Sequence, residues 1–163
     1  MKRKYILIMS LVISMMIMSC STLTKAEREA KEAEKAAWVK KTLDSKHFKI
    51  DVDIMNTRRM GSKLLTTDWS LEVKGDTLIS YLPYFGVTYE PTFGEIKGLN
   101  FTAPFQTYED SGFSKGQRII RFRVDSEEDL LDYTLNITEA GYASIDVISR
   151  KREGITFSGQ LSE

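Results

Sequence analysis

Aromatic side chains crowd residues 77–91, and they are the side chains in this chain best suited to holding a ligand. Aromatic rings offer large contact areas at a small entropic cost, and tyrosine hydroxyls add directional hydrogen bonds. A binding pocket in and just beyond this stretch would be lined by Tyr81, Tyr84, Phe85, Tyr89 and Phe93. In the alternative, which we favour, Tyr81 and Phe85 are core residues. Pro83 and Gly86 would then only bend the sheet around a corner.

Groups suited to acid–base or metal chemistry are scattered. Asp51 and Asp53 share one face of a predicted strand whose other face is apolar, so both are expected to face water. A hydrolase would need these two in one cleft with Glu90 and Glu95, which makes it the least favoured alternative. His47 is the only histidine, whereas metal sites usually take two to four such ligands. We therefore expect no catalytic residue, no metal ligand and no cofactor.

Two charged runs are predicted to be solvated. The acidic residues from Asp125 to Asp132 lack the glycine with which a calcium-binding loop wraps its ion, so a solvated turn is expected. Arg118, Arg121 and Arg123 alternate with apolar residues, as the wet face of a strand does. A basic patch with residues 150–152, facing anionic lipid or glycan, is the alternative.

The N-terminus predicts export and lipidation. Residues 2–4 are basic and residues 5–18 are apolar, a run shorter than the roughly 20 residues of a bilayer span. Ile17, Ser19 and Cys20 then resemble the bacterial lipoprotein box. The resemblance implies cleavage before Cys20 and lipidation of its sulfur and its amine. An ordinary signal peptide or an anchor helix, with an incidental cysteine, is the alternative.

Composition excludes one class of partner and one kind of cross-link. Cys20 is the only cysteine, so a lipidated mature chain has no thiol left for a disulfide. Loss of residues 1–19 removes three basic side chains and leaves 20 basic against 23 acidic, a net charge of −3. A mildly acidic chain with interspersed signs has no nucleic-acid footprint.

The remaining chain divides into a helix and a β-domain. Residues 24–46 are rich in good helix formers and begin with a capping box, Thr24 followed by Glu27. Only the end of this segment offers large apolar side chains, so we expect a spacer whose C-terminal end docks on the next domain. The expected parts are a signal peptide (1–19), a lipidated N-terminus with its helical spacer (20–46) and a β-domain (47–163).

From Phe48 onward the apolar residues recur with a period of two. Strands are predicted at 48–54, 69–73, 77–82, 99–102, 105–108, 117–125, 133–137, 143–147 and 155–161. Residues 55–67 and 110–116 are predicted to be loops. With short connections and no crossover helix, the chain is predicted to be mainly β, an antiparallel sheet curled into a sandwich or open barrel with one N-terminal helix.

The motifs together resemble one family. A lipoprotein box, a helix, the string Ser80–Gly86 and a closing Ile155–Gly159 are similar to the DUF4251 family of exported, uncharacterised proteins found largely in Bacteroidetes. The resemblance runs from about Trp38 to Leu161. In that phylum acidic residues after the lipidated cysteine mark surface export, and residues 21–25 contain none. The resemblance thus implies a periplasm-facing envelope protein.

These observations predict a non-enzymatic binding or structural module anchored to the membrane by lipid on Cys20. Its partner would be another envelope protein. The alternative is a lipocalin-like carrier that holds a small apolar ligand inside a barrel.

Overall fold

Eight strands and one helix form the structure, a computed structural model that describes residues 24–89 and 98–162. In β5 and β6 buried and more exposed side chains alternate without a break, as the period of two predicts. The strands are β1 (His47–Thr57), β2 (Gly61–Lys74), β3 (Thr77–Leu82), β4 (Leu99–Ser114), β5 (Gln117–Asp125), β6 (Leu130–Thr138), β7 (Tyr142–Ser149) and β8 (Ile155–Leu161).

Each strand pairs antiparallel with the next one, and β8 pairs antiparallel with β1, which closes the sheet into a barrel. The predicted antiparallel sheet with one helix is confirmed, and the curled sheet is a closed barrel. Closure removes the free edges through which an open sheet can aggregate.

Two predicted loops are wrong, because both segments are strand. Residues 55–67 form the ends of β1 and β2 with the turn between them, and most of residues 110–116 belongs to β4 and its turn into β5. Register shifts at Phe105/Thr107 and Asp110/Phe113 interrupt the alternation in β4. Gly112 lies at φ +65° within the second shift, where its amide donates to Asp110 Oδ1 at 2.9 Å. A bulge of this kind hides a strand from a pattern search.

Gly159 allows β8 to close against β1. Both ladders of β1 shift register between Val52 and Ile54, and Gly159 pairs with Val52 at this point. A Cβ atom at Gly159 would lie 2.0 Å from the backbone oxygen of Asp51. Only a residue without a side chain fits here, at the seam where β8 pairs with β1 and closes the barrel.

Aromatic rings pack inside the barrel. The Phe122 ring lies 5.2 Å from Tyr133 and 4.8 Å from Phe105, and Tyr133 meets Phe101 edge-on at 6.5 Å. Ser80 Oγ donates to the Leu99 carbonyl at 2.6 Å and lies 3.4 Å from the Tyr133 hydroxyl. Complete burial raises the pKa of the Tyr133 phenol.

The helix, α1, spans Lys25–Asp44. The boundary between two compact units of the chain, residues 1–32 and 33–163, falls within it. In the first unit the predicted capping box is confirmed, since the Thr24 amide donates to Glu27 Oε2 at 2.8 Å. That hydrogen bond holds the pKa of the Glu27 carboxyl below its ordinary value. Exposed ion pairs such as Lys25–Glu29, at 3.8 Å, add little to stability.

In the second unit the end of α1 packs on the barrel, as predicted. Val39 and Leu43 are fully buried. Arg118 is buried rather than solvated, because its Nη1 donates to Asp44 at the helix end at 2.6 Å and its Nε and Nη2 donate to Asp110 at 2.9 and 2.5 Å. Burial alone would raise the pKa of Asp110, but the hydrogen bonds from Arg118 and from the Gly112 amide, with the positive charges of Arg118 and Lys46, together hold that pKa low.

Within residues 24–89 and 98–162, no helix combines the length and the hydropathy that crossing a membrane would take.

We predict that Gly159→Ala lowers the free energy of unfolding by about 3 kcal/mol, because the added methyl overlaps the β1 backbone at the barrel seam. Urea unfolding of the full chain followed by circular dichroism measures this. Gly154→Ala is the matched control on the same hairpin, since its Cβ would lie 3.4 Å from the nearest atom, the Val147 oxygen. Equal loss in both variants would contradict the seam argument.

Candidate functional site

The predicted aromatic site begins at the end of β3, where the chain leaves the barrel. Tyr81 is 45% exposed, whereas Leu82 and Pro83 are buried. The Tyr81 ring stacks on Trp69 of β2 with a centroid distance of 4.6 Å and an interplanar angle of 26°. Tyr81 is thus a surface residue, and the prediction that it belongs to the core is wrong.

Tyr84 is half-buried and fastens the chain after β3 to the loop between β7 and β8. Its hydroxyl donates to the Glu153 carbonyl at 2.9 Å and lies 3.2 Å from the Val87 carbonyl. Burial raises the pKa of this phenol, although the Arg152 guanidinium, 5.4 Å from the ring, opposes the shift. A Cβ at Gly86 would lie 2.5 Å from the Tyr84 hydroxyl. Gly86 therefore leaves room for the tyrosine.

Residues 84–89, the rim segment, are held to the β7–β8 loop by backbone as well. The Glu153 amide donates to Val87 at 2.9 Å, the Tyr89 amide donates to Lys151 at 2.8 Å, and Thr88 forms an isolated bridge with Arg152. This pairing gives the rim segment a fixed place beside the barrel.

The other predicted binding residues lie in the rim segment or beyond it. Phe85 is 49% exposed, so the prediction that it belongs to the core is wrong as well. Lys63 Nζ of β2 lies 5.1 Å from the centroid of its ring. Tyr89 is 63% exposed at the end of the rim segment. Phe93 lies outside the described residues, as do Cys20, Glu90 and Glu95. A binding role for Tyr81, Tyr84, Phe85, Tyr89 and Phe93 stays a prediction.

The two exposed rings Tyr81 and Phe85 both contact residues of β2. Tyr81 stacks on residue 69 of β2, and Phe85 contacts residue 63 of the same strand through the cation–π pair described above. Trp69, Tyr81 and Phe85, together with Lys63, are called the aromatic patch below. Sequence reasoning placed Trp69 only in a strand, and its nearness to Tyr81 depends on the pairing of β2 with β3.

An open groove of about 350 Å³ borders Trp69. It lies where β2 carries four residues, 65–68, opposite the single residue Asp53 of β1. The predicted carboxylates Asp51 and Asp53 both reach it. Asp51 accepts a 2.8 Å ion-pair contact from Lys49 Nζ. This groove, called the Trp69 groove, is lined by Lys49, Asp51, Val52, Asp53, Leu65, Thr66, Thr67, Asp68 and Trp69.

A wider groove of about 440 Å³ crosses the outer face of β1, β8, β7 and β6. Its polar floor is a row of directly paired residues, Asn56, Thr156, Asp146 and Thr134. Thr156 Oγ1 donates to Asp146 Oδ1 at 2.7 Å. Asn56 Oδ1 also accepts a hydrogen bond, from Ser62 Oγ at 2.5 Å. Because these acceptors are already engaged and no aromatic ring lines this groove, it is the weaker candidate.

The acidic run 125–132 is not a simple solvated turn, which corrects the prediction. Asp129 is 4% exposed, and its Oδ2 accepts a short hydrogen bond from Ser149. Arg152 is also buried and contacts Glu128 at 3.3 Å. Asp132 pairs with Arg123, whose Nε lies 2.6 Å from Asp132 Oδ1. The contacts of Asp129 and Glu128 join the turn between β5 and β6 to the end of β7 and the loop after it, whereas Asp132 and Arg123 are directly paired residues of β6 and β5. His47 is a surface residue, with Nδ1 2.8 Å from the Ser45 carbonyl.

The fold and this surface define a class: a closed, eight-stranded antiparallel barrel with a helix packed against it and aromatic rings outside as well as inside. The chain matches the family model described as "Domain of unknown function (DUF4251)" over residues 30–161, which is most of its 163 residues. The chain belongs to the DUF4251 family, and the resemblance seen in its motifs is confirmed.

A crystal structure of a DUF4251 family protein from Bacteroides eggerthii DSM 20697 is similar to this one, with a TM-score of 0.59 and 14% sequence identity. The similarity covers 81% of this chain and 87% of that chain. At this identity it shows a shared fold. No match was found among curated proteins.

We predict that Tyr84→Phe lowers the free energy of unfolding by about 1 kcal/mol, because the rim segment loses its side-chain hydrogen bond to the β7–β8 loop. Urea unfolding measures the change. Tyr81→Phe is the control, since its hydroxyl lies on the exposed face of β3 and makes no hydrogen bond within the described residues. If Tyr84→Phe proves as stable as the control, the rim segment is held by its backbone alone.

Proposed function

We propose that this protein is a non-enzymatic binding module of the bacterial cell envelope, held to the membrane by lipid on Cys20 and facing the periplasm. The leader, the lipoprotein-like box and the absence of acidic residues at 21–25 support the address. The aromatic patch supports the role, and it is the observation that carries the proposal.

Exposed, well-positioned aromatic rings are the side chains that most often dominate binding surfaces. Trp69 and Tyr81 hold each other in a stacked pair, and Tyr81 is nearly half exposed. Such a pair loses little conformational freedom when a partner covers it, so more of the contact energy is left for affinity. Lys63 beside Phe85 adds a cationic donor at the other end of the patch.

The packed interior favours this surface role over carriage of a small apolar ligand. A lipocalin-like carrier needs room among its inward-facing side chains. Here Phe101, Phe105, Phe122 and Tyr133 pack ring to ring within the barrel. The two grooves described above lie on the outside of the barrel instead.

Anchoring predicts that Cys20→Ser abolishes labelling by a clickable fatty acid. In cells fed the alkyne analogue of palmitate, the wild-type protein should carry label and sediment with membranes. The variant should carry no label. It should either keep residues 1–19 or lose them and appear in the soluble fraction. A labelled Cys20→Ser protein, or an unlabelled wild type, would contradict anchoring at this residue.

The binding role predicts that Tyr81→Ser with Phe85→Ser lowers recovery of an envelope partner about tenfold after cross-linking in intact cells. Tyr142→Ser is the matched control, because Tyr142 is an exposed tyrosine (58%) on β7, away from the patch. Circular dichroism verifies that all variants fold. Equal recovery from the patch variant and the control would remove the patch as a recognition surface.

A further inference from the structure

The Trp69 groove is produced by an irregularity of the sheet. Ile54 pairs with Leu64 and Val52 pairs with Trp69, so one residue of β1 faces four of β2. Residues 65–68 therefore have no ladder partner on β1, and Thr66, Thr67 and Asp68 are exposed. Bulges are over-represented beside functional sites because they re-aim side chains.

Trp69 lines this groove. Its indole is half-buried, packs against the core and stacks on Tyr81. The groove lies between β1 and β2, whereas Tyr81 belongs to β3 on the other side of β2. The stacked Tyr81 ring thus fixes the indole without filling the groove. Leu65, which is half-buried, adds apolar surface beside it.

The polar groups of the groove include both donors and acceptors. Asp53 and Asp68 present carboxylate acceptors, Lys49 presents an ammonium donor, and the hydroxyls of Thr66 and Thr67 can do either. None of the side chains of Asp53, Thr66, Thr67 and Asp68 has a hydrogen-bond partner among the described residues. A ligand that meets all of these groups must itself both donate and accept.

We propose that the Trp69 groove binds a neutral pyranose sugar, with a ring face on Trp69 and its hydroxyls bonded to Asp53, Thr66, Thr67 and Asp68. The inference rests on the proposed role as a binding module and names the ligand class of one part of that surface. A pyranose carries an apolar face of C–H groups and a rim of hydroxyls, which matches an indole wall next to mixed donors and acceptors. The volume of about 350 Å³ lies at the small end of known ligand sites.

Charged ligands fit the groove less well. Three carboxylates, from Asp51, Asp53 and Asp68, repel a phosphate or a uronic acid. A protonated amine only donates hydrogen bonds. Its positive charge would also lie close to the positive charge of the Lys49 ammonium. Lys49 Nζ already lies 2.8 Å from Asp51, and the hydrogen bond that it donates to this carboxylate raises the pKa of the Lys49 amine.

The test is a fluorescence titration of the full chain carrying Trp38→Phe. The sequence has two tryptophans, so this substitution leaves Trp69 as the only indole reporter. Chitotriose, cellotriose and maltotriose are the neutral probes, with spermidine and glucuronic acid as charged comparisons. We expect a saturable change in emission with at least one neutral trisaccharide and none with the charged probes.

Asp68→Asn and Thr67→Val in the same background should each weaken that binding about tenfold, as expected for loss of a hydrogen bond to a ligand hydroxyl. Both positions are exposed, so both variants should fold as the parent does. Tyr142→Ala, an exposed aromatic elsewhere on the barrel, should bind like the parent.

Absence of saturable binding by all three trisaccharides overturns the proposal, as does tighter binding of spermidine or equal affinity in Asp68→Asn and the parent. These outcomes differ from failure of the proposed function. If cross-linking still recovers a partner through Tyr81 and Phe85 while no sugar binds, the binding module stands and the sugar site falls.

Discussion

The register shift at Asp53 is the constraint on which the barrel depends. Strand β1 must pair on both sides, and both of its ladders shift between Val52 and Ile54. Eight strands close into a cylinder only when tilt and stagger agree around the ring, and bulges supply the local bend. Gly159 completes this arrangement, since its missing side chain lets β8 approach the Asp51 carbonyl. The interior is enclosed because this one seam closes.

The same shift shapes the outer surface. In the pairing with β8, the register shift leaves only Asp53 without a partner, because Val52 and Ile54 pair with the consecutive residues Gly159 and Ser158. Against β2 it displaces four residues, which leave the ladder and border the Trp69 groove. Closing the barrel and opening a groove are thus two consequences of one backbone irregularity. A substitution at the seam would disturb both, whereas Thr67 and Asp68 affect the groove alone.

Local periodicity was enough to predict most strands, the helix cap and the antiparallel class. It failed at residues 110–116, where two register shifts in β4 break the period of two around Gly112. It also missed what depends on distant pairing. Tyr84 bonds to Glu153, 69 residues away, and Arg118 bonds to Asp44 across 74 residues. A charged residue at an inward position, such as Arg118, is the one local signal that could have been followed.

The family motif around Tyr84 reports on the fold more than on a ligand. Within Tyr81–Gly86, Leu82 and Pro83 are buried, Tyr84 fastens the rim segment, and Gly86 leaves room for the Tyr84 hydroxyl. Only Tyr81 and Phe85 of this string reach solvent with large apolar surface, and their neighbours come from β2. Two proteins can therefore share this string, and with it the attachment of the rim segment, while they differ in the β2 residues that a partner contacts. The Bacteroides eggerthii protein has a similar fold at 14% sequence identity, so the fold by itself does not specify which side chains β2 presents.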